Sequence, residues 1–129
     1  MIGGINMPQQ NNVISKYGEY SKNQIASVKL YIRKSIFFLL LYVDSNTKEI
    51  YQGVDVENAF QSLQLKLNGL NKILLEPPEL VIVMSLLESA LSEYKKNDFN
   101  FKVYRKLILD AGSEIMKICE IPENLESCD

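Results

Sequence analysis

Histidine and tryptophan do not occur in this 129-residue chain, cysteine occurs twice and glycine six times. Each scarcity excludes something. Without histidine there is no imidazole acid or base near neutral pH, no Ser-His or Cys-His nucleophile pair, and the commonest metal ligand is gone. A di-iron bundle, built on inward-facing Glu-x-x-His pairs, is excluded on the same ground. The glycines make no phosphate cradle: Gly3 and Gly4 fall in a polar N-terminal stretch, and Gly53, Gly69 and Gly112 are isolated. Long apolar runs are missing too. The longest, residues 36–43, has eight residues, where a membrane span needs about 18 or more, and Arg33 and Lys34 interrupt it upstream. Both cysteines, Cys119 and Cys128, lie in the last eleven residues and form no disulfide framework, which predicts a reducing, cytoplasmic setting. The first 15 residues lack the charged and apolar regions of a secretory signal.

What remains is the material of one globular domain. A chain of this length buries roughly two-thirds of the surface it exposes when unfolded. Its 47% hydrophobic and 23% charged residues sit at the globular average. The net charge of -2 supplies no whole-chain attraction to nucleic acid. Lysine outnumbers arginine 12 to 2, and asparagine and isoleucine are abundant, the usage bias of AT-rich bacterial and phage genomes.

Periodicity predicts four helices. Residues 1–20 are polar and read as a flexible N-terminal segment. Ser21 and Gln24 have capping-box spacing, with Tyr20 and Ile25 placed as a hydrophobic staple. Ile25, Val28, Ile32, Ile36, Leu39 and Val43 then recur every three or four residues, and Asp44, Ser45, Asn46 and Thr47 close the element with turn chemistry. The second helix opens at Asp55, an N-cap residue type, and carries Val56, Phe60, Leu63, Leu67, Leu70 and Leu74 at heptad spacing. Pro77 and Pro78 stop it and start the third, which carries Leu80, Met84, Leu87, Leu91 and Tyr94. The fourth carries Phe101, Tyr104, Ile108, Ala111, Ile115 and Ile118, running through Gly112, which reads as a close-packing site. An acidic tail follows at 120–129.

Four stripes of similar length on short connections predict an all-α antiparallel four-helix bundle over residues 21–119. Aromatic and β-branched enrichment in 36–43, a turn, and then Ile50 and Tyr51 keep open an α+β alternative with a β-hairpin at about 36–54.

No catalytic, cofactor-binding or metal-binding residue is expected, and the chain reads as a non-enzyme. Glu57, Glu88, Glu93, Asp110 and Glu114 mostly fall off the apolar stripes and read as solvated faces. Cys119, beside the fourth stripe, reads as a small core residue. Cys128 sits among carboxylates, the opposite of the cationic setting that activates a thiol.

Charge is arranged in blocks: residues 16–34 carry +4, 44–93 carry -5, 95–106 carry +4 and 107–129 carry -5. Lys22, Lys29 and Arg33 share one face of the first helix, and Lys102, Arg105 and Lys106 form a similar group on the fourth. As a docking patch these suit an acidic partner or nucleic-acid phosphate. As architecture, alternating blocks neutralise one another, and the absence of interleaved aromatics weighs against nucleic acid.

Apolar surface is in surplus. Beyond the main stripe, Leu30, Phe37 and Leu41 form a second line on the first helix, and Tyr31, Phe38 and Tyr42 a third. On the third helix Val81, Ile82, Val83 and Leu86 lie outside the stripe. A bundle helix normally leaves a third or more of its circumference to water. Either another segment, such as the 45–54 connection, covers these residues, or they meet a partner. The partner reading makes the protein an adaptor, inhibitor or regulator, with Leu30, Phe37, Phe38, Leu41, Tyr42, Ile82 and Leu86 as its interface and a homodimer as one form of it.

Residues 20–25 (Y-x-x-N-Q-I) and 55–59 (D-V-E-N-A) resemble flagellar export chaperones of the four-helix type. The resemblance covers those two stretches and departs through the third and fourth helices. It implies a chaperone that holds a partner's helical terminus.

Overall fold

A computed structural model describes residues 13–15, 18–20 and 22–118. Its elements are β1 (Val13–Ser15), β2 (Gly18–Tyr20), α1 (Lys22–Leu41), α2 (Val56–Ile73), α3 (Pro78–Tyr94) and α4 (Phe101–Ile115), with a 3-10 turn at Lys48–Tyr51. The two three-residue strands pair antiparallel, Val13 opposite Tyr20, within the stretch expected as a flexible segment. Ser21, Cys119, Cys128 and the acidic tail lie outside the described residues.

The four helices form the expected bundle. Consecutive helices pack on one another, most extensively α3 on α4, and α4 closes the ring against α1, which packs more on α4 than on α2. The hydrogen bonds show the direction of that closure. Lys29 Nζ donates to the Ile118 carbonyl, and Tyr104 Oη donates to the Leu39 carbonyl, so numbers rise along α1 as they fall along α4. Ile25, Ile32, Ile36 and Leu39 of α1 are buried, with Phe60, Leu63, Leu67 and Leu74 of the second stripe. All of Tyr104, Ile108, Ala111, Ile115 and Ile118 in the fourth stripe are buried as well.

The hairpin alternative at 36–54 is overturned. Residues 36–41 continue α1, because Ile36, Leu39 and Leu40 recur at helical spacing and all three are buried. Each of the last four carbonyls of α1, which have no partner inside a helix, finds one nearby. Phe38 accepts from Tyr42 N, Leu39 from the Tyr104 hydroxyl, Leu40 from Val43 N and Asp44 N, and Leu41 from Thr47 Oγ1. A strand here would lose that set.

The other starts follow the sequence chemistry. Asp55 Oδ1 accepts from Asn58 N at 3.0 Å, capping α2. Asn100 Oδ1 accepts from Lys102 N and Val103 N, capping α4. The end of α2 differs from expectation. It closes at Ile73, before the prolines, with Glu76 N donating to Asn71 O and Leu75 N to Lys72 O, the paired bonds of a Schellman motif. Leu75 holds the left-handed position there (φ 64) where glycine is usual.

The phase of α3 also differs. Leu80, Val83, Leu87 and Ala90 are buried, while Met84, Leu91 and Tyr94 are only partly so. The helix is apolar on most of its circumference at 80–84, so spacing alone does not select the inward face.

Candidate functional site

The seams between helices differ in how they are finished. Between α3 and α4 the bundle is sealed. Tyr104, fully buried, has the rings of Phe60, Tyr94, Phe99 and Phe101 within 5.6 to 6.4 Å of its own. Burial holds the Tyr104 hydroxyl well above the ordinary phenol range, with Tyr94 adding to the effect, so it stays a neutral donor to Leu39. Glu93 ties the same corner. One carboxylate oxygen accepts from Asn100 N at 2.8 Å and the other from Lys96 Nζ at 3.1 Å. The backbone bond from Asn100, and then Lys96, hold its pKa below the ordinary value. This corrects the reading of Glu93 as a solvated acid: it is buried and links the end of α3 to the start of α4.

Between α1 and α4 the bundle is open. A groove of about 890 Å³ runs along this seam, lined from α1 by Leu30, Arg33, Lys34, Ile36, Phe37 and Phe38, and from α4 by Ile108, Leu109, Gly112 and Ser113. Ile36 and Ile108 are core residues and form its floor. Leu30 and Phe37 are each 48% exposed. Gly112 is not a close-packing site: a Cβ there would meet nothing within 4 Å. The missing side chain leaves the α4 wall low where it faces the α1 aromatics. A smaller cleft of about 410 Å³ lies between α1 and α2, lined by Gln24, Ile25, Ser27, Val28, Leu70, Ile73 and Leu74.

Leu30, Phe37 and Phe38 of the expected interface thus share one groove. Leu41 and Tyr42 are half-buried. Tyr42 and one side of Phe38 pack with Tyr51, with ring centres 5.2 and 6.0 Å from it, so the 48–51 turn covers that end of α1. Ile82 is exposed on α3 and Leu86 half-buried against the core; neither lines the groove.

The basic groups are not arranged as one set. Arg33 lines the groove beside Lys34, which the charge pattern did not single out. Lys29 is engaged with the Ile118 carbonyl at 2.8 Å. Lys102 and Arg105 are exposed on α4, and Lys106 pairs with Asp110 at 2.9 Å. The side chain of Lys22 lies outside the described residues. No helix of the described residues is long and apolar enough to cross a membrane, and no group of three or more Cys, Asp or Glu among them is placed to hold a metal ion. The chain matches no family model, no curated protein and no solved structure.

Proposed function

We propose that this chain is a non-enzymatic protein-interaction module, an adaptor, inhibitor or regulator of the cytoplasm, that binds through the apolar surface of α1 where it borders α4. The α1–α4 groove carries this reading: large side chains such as Leu30 and Phe37 stand half in solvent above a floor of core isoleucines. Large apolar side chains held half in solvent around one groove fit an interaction site, and large aromatics dominate interface energetics. Val81 and Ile82 on α3 are exposed to a similar degree but lie outside the groove.

The test compares capture of proteins from the native host by the wild type, by the Leu30→Asp, Phe37→Asp double variant and by a Leu65→Asp control. Leu65 is an exposed apolar residue of α2 outside the groove. A protein retained by the wild type and the control but lost by the double variant is the expected result. Retention of the same proteins by all three contradicts the reading.

A further inference from the structure

We infer that the α1–α4 groove accepts about two turns of a partner's amphipathic helix whose apolar face is flanked by carboxylates. The inference rests on the interaction-module reading and names the partner's chemistry.

The groove's length sets the size of the occupant. Its α1 wall runs from Leu30 to Phe38, about 12 Å at the helical rise, or roughly two turns. A helix laid there presents apolar anchors three or four residues apart, against Leu30 and Phe37 on one side and Leu109 on the other. Gly112 provides the room, since the space beyond its Cα is empty.

Charge sets the occupant's sign. The charged side chains lining the groove are Arg33 and Lys34, both cationic, and no carboxylate lines it among the described residues. Opposite charge on the partner's flanks steers encounter and fixes register, whereas like charge at the same rim is repelled. The same cations argue against a second copy of this chain. A two-fold dimer uses the same patch on both subunits, which would bring Arg33 and Lys34 of each copy to one interface.

The test titrates the full chain with two fluorescent synthetic peptides of about four turns. Both carry leucines at i, i+3, i+4 and i+7; one is flanked by glutamates, the other by lysines. The glutamate peptide should bind about tenfold more tightly at about 0.05 M salt, with the preference shrinking at about 0.5 M. An Arg33→Glu, Lys34→Glu variant should reverse the preference. Gly112→Leu should abolish binding of either peptide while the fold, read by circular dichroism, is kept.

Equal binding of both peptides, or a preference that survives the charge reversal, overturns the proposal, as does binding of the glutamate peptide weaker than about 1 mM. A dimer dissociated by Gly112→Leu reassigns the groove to a second copy. Peptide binding that appears only after residues 119–129 are deleted reassigns it to the chain's own acidic end. If host-protein capture still depends on Leu30 and Phe37 while the peptides fail, the interaction module stands and the acidic-helix assignment falls.

Discussion

The two seams that α4 makes with its neighbours are built from similar residues and finished in opposite ways. Against α3, its aromatic N-terminal half is closed from both sides. Phe60 and Tyr94 pack on Tyr104, and Glu93 anchors the incoming backbone at Asn100. Against α1, the contact holds at the two ends, through Tyr104 to Leu39 and Lys29 to Ile118, and opens between them. The difference lies in side-chain volume at the seam. Gly112 gives α4 nothing to set against Leu30 and Phe37, so apolar side chains of the kind that seal one seam stand exposed along the other.

Substitutions on the two sides should separate these regions by size and by sign. The largest effect belongs to the sealed side. Phe60→Ala, at a fully buried ring packed on Tyr104, should cost roughly 3–5 kcal/mol in urea unfolding. A loss below about 1 kcal/mol would mean the corner is loosely packed.

Glu93 gives a pH signature on the same side. Its folded pKa lies below the ordinary value of 4.5, so its contribution is present in full above that value and fades as pH falls through the folded pKa. The stability gap between wild type and Glu93→Gln should therefore be widest near neutral pH and close in acid. A gap independent of pH would show that the carboxylate's charge does not hold the corner.

The open side should show the opposite sign. Gly112→Ala adds a methyl group that meets nothing within 4 Å in the interior of α4, and should raise stability by about 0.5–1 kcal/mol. Destabilisation would mean that the seam is tighter than it stands here.

The bundle was legible in the sequence because α2 and α4 each carry a single apolar phase and α1 carries a continuous main stripe beside its surplus apolar residues. The fourth stripe is buried throughout except for half-buried Phe101, and Asp55 and Pro78 mark helix starts as their chemistry dictates. The phase of α3 was not legible, since Leu80, Val81, Ile82, Val83 and Met84 are all apolar and give periodicity nothing to select on. The Schellman end of α2 was hidden because Leu75 stands where glycine would have signalled it. Glu93 was hidden because its partners, Asn100 N and Lys96, come together only once the 95–100 turn is formed.

The site was half legible. The surplus apolar residues of α1 stand out by count, and Leu30, Phe37 and Phe38 do line a groove. The opposite wall depends on which face of α4 meets α1, a tertiary fact. A glycine within an apolar stripe suggests close approach of another chain segment, and here it marks the space where none approaches.

The most direct test of this account is the thermal unfolding midpoint of the Leu30→Asp, Phe37→Asp double variant. If these side chains belong to an open binding surface, two surface substitutions should leave a cooperative transition within about 5 °C of the wild type. Loss of the cooperative transition, or a fall far beyond that range, would place both residues in the core and contradict the open groove.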